Sequence, residues 1–248
     1  MRLSNVYLGV LGVITIIVFW ESMFTLQLLS NYLFPSIIDV FKLFFNKSFL
    51  VDILNNAYLT VKASFIGFIM ALSIAIPLGL IIGKNKYLMY FLEPIIEFLR
   101  PMPSSAIIPI ALLFFGLGIK MIVFVVAFGS SWPILVSTIQ GVKSIDKTML
   151  DTVKMLRLNV IDKIFKIILP ASSLYIFAGL RTSLAVSLIL AVTAEMIAGS
   201  EGIGFYILDM ERAFRINEMY AGIVVIGIIG YLLNKIFDLI QKKFIYWV

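Results

Sequence analysis

Long apolar runs, broken by short polar stretches, decide what this chain can fold into. They cover about Val6–Phe24, Ile53–Gly83, Ser104–Leu117, Met121–Gly141, Ala171–Ala198 and Ala221–Ile240. The hydrocarbon core of a bilayer, about 30 Å thick, is crossed by about 20 helical residues. Inside it every backbone N–H and C=O must be satisfied without water, which a helix does within its own segment. The runs therefore predict an all-α integral membrane protein with six transmembrane helices, a single transmembrane domain over residues 1–248. The hydrophobic fraction of 61% and mean hydropathy of +1.06 agree, since soluble domains hold about 45–50% apolar residues. The Ser104–Leu117 run is short, as expected of a helix buried in protein. Pro77 and Pro133 predict kinks in the second and fourth spans. A lone Arg2 ahead of Val6–Trp20 loosely resembles a signal peptide, but no small-residue cleavage site follows, so an uncleaved first span is expected.

Six spans put both termini on one side of the membrane. Counting charges between spans, the terminal side holds thirteen lysines and arginines and the opposite side five: Lys42, Lys47, Lys120, Arg212 and Arg215. Lys62 and Arg181 lie within spans and complete the total of 20. Basic residues accumulate on the cytoplasmic side, so both termini are predicted cytoplasmic. The net charge of +6 and pI of about 9.4 are read as these basic loops facing anionic lipid, with no nucleic acid as partner. The chain has no cysteine and no histidine, which excludes disulfides, thiol chemistry and imidazole metal sites. Gly79–Lys84 is one residue short of a phosphate-binding loop and lacks the following Ser/Thr, so no nucleotide site, cofactor or metal is expected in this chain.

The densest charge lies at Ser144–Pro170, SIDKTMLDTVKMLRLNVIDKIFKIILP. Such density does not fit a bilayer core, so the segment is predicted to be a cytoplasmic loop in water. It still has helical periodicity. Ile145, Met149, Val153 and Leu156 form one apolar stripe, and Ile161, Ile164, Phe165 and Ile168 a second. Two short helices are expected, separated near Leu158–Asn159 and stopped by Pro170. Periodicity leaves two readings open, a helix pair resting on lipid headgroups or a docking element for a soluble partner.

At this point the residues resemble a known family. Ile167-Ile168-Leu169-Pro170 matches the second half of the EAA loop of bacterial ABC importer permeases at the right spacing. In the first half Asp151 stands for Glu, Thr152 and Val153 for two Ala, and Arg157 for Gly. Leu99-Arg100-Pro101-Met102-Pro103, Phe115-Gly116-Leu117-Gly118, Ala178-Gly179-Leu180-Arg181 and Ala194-Glu195-Met196-Ile197-Ala198-Gly199-Ser200-Glu201-Gly202-Ile203-Gly204 resemble the permeases for nitrate, taurine, aliphatic sulfonates and thiamine- or riboflavin-type precursors. The resemblance implies the type I ABC importer permease fold in the bacterial inner membrane. It implies two permease copies, two ATPases that bind ATP and Mg, and an extracytoplasmic substrate-binding protein. It also implies that Ile145, Met149, Asp151, Val153, Leu156, Arg157 and Pro170 belong to the loop that couples to the ATPase. With Arg157 in place of Gly, either the junction between the helices differs or the ATPase offers a matching acid.

Two ionisable residues stand inside the fifth span. Arg181 falls near the bilayer midplane, where an Arg faces a cavity or a partner. It is read either as lining a path for an anionic or polar solute or as a structural Arg. Glu195, near the outer end, either braces the Gly199–Gly204 bend or is a solvated carboxylate. Lys62 is expected to snorkel. An ion-coupled carrier, the alternative function, needs acids within its spans, and none is read at mid-membrane. A membrane-embedded enzyme needs a cluster of catalytic groups, and none is found.

Overall fold

The computed structural model describes residues 2–27, 33–155 and 158–244. The apolar runs fold as long helices. They are α1 (Arg2–Thr25), α3 (Lys47–Lys84), α6 (Ile119–Lys143), α9 (Leu169–Ala198) and α11 (Ile216–Phe244). Shorter elements join them: α2 (Ile37–Leu43), α4 (Lys86–Leu99), a 3-10 turn (Ser104–Ile107), α5 (Ile108–Phe115), α7 (Lys147–Met155), α8 (Val160–Lys163), a π turn (Ile164–Ile168) and α10 (Ile203–Arg212). Among the described residues no strand occurs.

α3, α6 and α9 make the core, and small residues are what let them pack. Association in lipid relies on close backbone approach, because the lipid is as apolar as the side chains. Ala63, Gly67, Ala71, Ala75, Gly79 and Gly83 recur every fourth residue along α3, one face of a helix. A Cβ built at Gly67 would lie 2.5 Å from Val126 Cγ1, at Gly79 2.6 Å from Thr138 Cβ, and at Gly83 2.8 Å from Val142 Cβ. α6 meets α9 the same way, with Gly179 against Ser137 and Pro133 and Gly141 against Ser172. By contrast α1 is exposed over its apolar stretch and docks through its end alone. Trp20 Nε1 donates to the Pro35 carbonyl at 2.9 Å, and its ring packs on Phe34 and Tyr220.

Three expectations take a more definite form. First, the Ser104–Leu117 run folds as the 3-10 turn and the eight-residue α5, about 12 Å long against a core about 30 Å thick. α4 and the 3-10/α5 segment meet at a bend of 87°, and only together are they long and apolar enough for one span. α4 packs at the loop end through Leu88 and Met89, and α5 packs against Met121 and Ala194 at the other end. Pro101 and Pro103 stand at the bend and deny it backbone donors. Secondly, α3 runs through Pro77 and α6 through Pro133 without a break in the helix. Thirdly, Pro170 does not stop the second loop helix. It is the second residue of α9, directly after the π turn Ile164–Ile168, which accommodates its missing N–H. The π turn Ile164–Ile168 leads α8 straight into α9, giving one apolar helical run from Val160 to Ala198.

The two ends of the bundle differ. At the loop end Val142, Ile145 and Ile168 form a small core with Leu80 and Ile164. At the far end α2, α10 and the starts of α3 and α11 pack around Val40, Phe49, Ile53, Ile203 and Ala221.

Candidate functional site

The loop between α6 and α9 divides its apolar residues between an inner and an outer set. Ile145 is buried in the chain's own core beside Val142 and Ile168, so it anchors the root of the loop. Met149 is 41% exposed and Met155 85% exposed. The second stripe separates in the same way, with Ile164 and Ile168 turned inward and Ile161 and Phe165 outward. Asp151 lies on α7, and its neighbour Thr152 bonds back to the Thr148 carbonyl at 2.9 Å. Val153 is also on α7, but its side chain, like Leu156 and Arg157 altogether, lies outside the described residues. The expected break at Leu158–Asn159 is present, because Asn159 caps α8 by accepting the Asp162 N–H at 2.7 Å. The result is an exposed apolar tip held between two rigid helix ends.

Glu195 is 1% exposed. Its Oε2 accepts the Gly204 N–H at 2.9 Å and the Thr60 hydroxyl at 2.8 Å. Thr60 Oγ1 in turn accepts the Ile203 N–H at 2.8 Å, and Asn56 Oδ1 the Gly202 N–H at 3.0 Å. Three successive N–H groups at the start of α10, which no helix can satisfy by itself, are thus capped by side chains of α3 and α9. The carboxylate also faces the positive end of the α10 dipole. Gly202, at φ +99°, leaves room for it, since a Cβ there would come within 2.3 Å of Glu195 Cδ. The brace reading of Glu195 is the one the geometry carries, and the solvated reading is excluded by burial. Asn56 and Thr60, four residues apart on α3, are partners that the sequence reading missed. Their four-residue spacing puts them on one face of α3, but it does not name the bend as their partner.

Arg181 makes an ion pair with Asp238 of α11, and both side chains are partly exposed. Asp238 lies two residues before the end of the predicted sixth span, Ala221–Ile240, away from its middle. The one cation of the fifth span is therefore neutralised in place. Arg181 and Glu195 belong to separate arrangements, one on α11 and one under α10. Lys62 is exposed on α3, with its Nζ 5.9 Å from the centre of the Tyr58 ring.

Above the brace a polar cavity of about 520 Å³ opens at the far end. Asn46, Ser48, Asp52, Asn55, Asn56, Glu201, Tyr206, Asp209, Arg215 and Glu218 are among the residues that line it. Arg215 donates to Glu218 Oε1 through Nε at 3.1 Å and Nη2 at 2.8 Å. That bond raises the Arg215 pKa. Burial, then the Glu218 charge, push Tyr206 up to about 12, so it enters the cavity as a neutral phenol. With Asp52, Glu201, Asp209 and Glu218 against one arginine, the cavity is acidic. The loop end of the bundle is basic.

The profile of the family described as "Binding-protein-dependent transport system inner membrane component" matches residues 75–245. A protein of Methanocaldococcus jannaschii named as an ABC transporter permease is 32% identical over 79% of this chain and 74% of its own length. One of Bacillus subtilis named for aliphatic sulfonates transport is 25% identical over 96% of this chain and 87% of its own. The nitrate import permease protein of Leptolyngbya laminosa is 34% identical over 72% of this chain and 64% of its own. A chain of the MetNI methionine ABC transporter in an inward-facing conformation superposes with a TM-score of 0.72 over 80% of this chain and 99% of that one, at 14% identity. At that identity the likeness is one of fold.

Proposed function

Because this chain belongs to the family of binding-protein-dependent transport system inner membrane components, it is a permease subunit of an ATP-driven importer, and we propose how its parts carry out the transport. ATP is hydrolysed by a separate ATPase, and a substrate-binding protein supplies the cargo. In the reading proposed, two copies of this chain assemble with two ATPases, with both termini and the Ser144–Pro170 loop in the cytoplasm.

What carries the coupling role is the exposed apolar tip of the loop, Met149, Met155, Ile161 and Phe165, mounted on α6 and on the continuous α8–α9 run. An apolar helix face laid in a groove of the ATPase passes ATPase closure to α6 and α9 as a rigid-body push. These helices pack on α3, so the push rocks the core between inward- and outward-facing states. The acidic far-end cavity faces the binding protein, and α10, braced by Glu195, moves with α3 and α9.

The cargo proposed is a small polar or anionic solute. Support comes from relatives named for nitrate and aliphatic sulfonates. Arg181 adds little to it, since Asp238 holds its charge. The chain has no cysteine, so a single introduced thiol reports cleanly. Met149→Cys is expected to crosslink to the ATPase in membranes, and uptake is expected to stop when ATP is removed while ion gradients persist. Uptake that follows the ion gradient instead would favour the secondary carrier.

A further inference from the structure

Two cavities flank the turn between α3 and α4 at the loop end. One, of about 500 Å³, is lined by Lys84, Lys86, Lys143 and Lys163 together with Met89, Val142, Ile145 and Ile168. The other, of about 730 Å³, shares Lys84, Lys86 and Ile168 with the first and continues over Leu80, Ile81, Val160 and Ile164. Four lysines thus converge on concave apolar walls from three elements, the α3–α4 turn, the end of α6 and α8.

No aspartate or glutamate lines either cavity among the described residues. The acids nearest in sequence are engaged elsewhere. Asp162 is paired with Lys166 at 2.7 Å, and Asp146 accepts the Thr148 N–H at 3.1 Å. A run of lysines on a convex surface is ordinarily a solvated face. Here the four border one recess, whose apolar lining extends to Ile81, a residue 57% exposed on the outside of α3.

We propose that this double cavity binds one anionic phospholipid. Its phosphate sits among Lys84, Lys86, Lys143 and Lys163, and an acyl chain lies along Leu80, Ile81 and Ile164. Basic pockets between helices at a membrane surface suit anionic headgroups, and the apolar extension gives the chain a place that a soluble anion would leave empty. The location has a consequence. The site joins the α3–α4 turn to Val142, Ile145 and Ile168 at the root of the loop, so an occupied site ties the α3–α4 turn to α6 and α8. The inference requires only that the loop end borders the bilayer, and it stands whether or not the loop docks an ATPase.

The test is native mass spectrometry of the full-length chain released from nanodiscs of mixed phosphatidylglycerol and phosphatidylcholine. Wild type is expected to retain one phosphatidylglycerol in preference to phosphatidylcholine. Lys84→Gln/Lys143→Gln is expected to weaken that retention about tenfold, while Lys84→Arg/Lys143→Arg keeps it. Lys120→Gln, a charge at the other end of α6, is expected to change nothing. Equal retention of the two lipids by wild type, or undiminished retention by the Gln pair, would overturn the proposal. Displacement of the lipid by inorganic phosphate would also overturn it, by marking a soluble-anion site. Should the Gln pair fail to fold, the Arg pair in place of wild type, with and without phosphate, still decides between the two lipids.

Discussion

Glu195 bonds a backbone N–H of α10 and a hydroxyl of α3 from a position on α9, so its removal touches three helices at once. Glu195→Ala leaves the Gly204 N–H buried without an acceptor, at about 1–3 kcal/mol, and leaves the Thr60 hydroxyl only the Asn56 carbonyl at 3.1 Å. The expected result is a large fall in thermal stability of the purified protein. Glu195→Gln keeps a carbonyl oxygen for both bonds and is expected to cost far less. A melting curve that ranks Gln with Ala would show that the charge, and not the acceptor, holds the brace. Gly202→Ala is expected to be as damaging as Glu195→Ala, because it forces both a left-handed backbone and a Cβ within 2.3 Å of the carboxyl carbon. In the sequence, the glycines and Glu195 marked this bend as special. That Asn56 and Thr60 complete it was not visible, since they are 135 or more residues away and meet it only through packing.

At the scale of elements, α3 determines how closely the core packs. Gly67→Val places branched carbons into Val126 and the Val123 carbonyl, 2.5 and 3.0 Å from the new Cβ. Overpacking of this kind costs about 1–3 kcal/mol, and the yield of monodisperse protein should drop with it. Gly227 on α11 has nothing within 4 Å, so Gly227→Ala is expected to be neutral or to stabilise by a fraction of the about 1 kcal/mol that separates the two residues in a helix. Equal losses at both positions would mean that α11 packs on something outside this chain. The every-fourth small residue of α3 was readable in the sequence. The prolines were not, because Pro77, Pro133 and Pro170 all lie in runs that stay helical, where neighbouring helices or a π turn absorb the lost donor.

For the whole molecule, the exposed apolar side chains Leu113 (86%) and Phe114 (79%) on α5 call for lipid or a second copy. In the homodimer proposed here, Leu113→Cys is expected to form disulfide-linked dimers in membranes, whereas Ile14→Cys on the lipid-exposed α1 is not. Monomeric Leu113→Cys under oxidation, with full uptake activity, would place the contact between copies elsewhere. The sequence by itself determined that the chain crosses a bilayer repeatedly, that basic charge gathers at one end, and that the wet stretch between the fourth and fifth runs differs from the rest. Those are matters of length, hydropathy and charge, which the bilayer reads residue by residue. Only the tertiary structure decided that the stretch from Lys86 to Phe115 is two helical segments bent by 87°. It alone turned Ile145 inward while Met149 faces out, and matched Arg181 with Asp238. Each of these depends on which distant helix lies alongside, and a helix's own periodicity records that it has a buried face without recording what covers it.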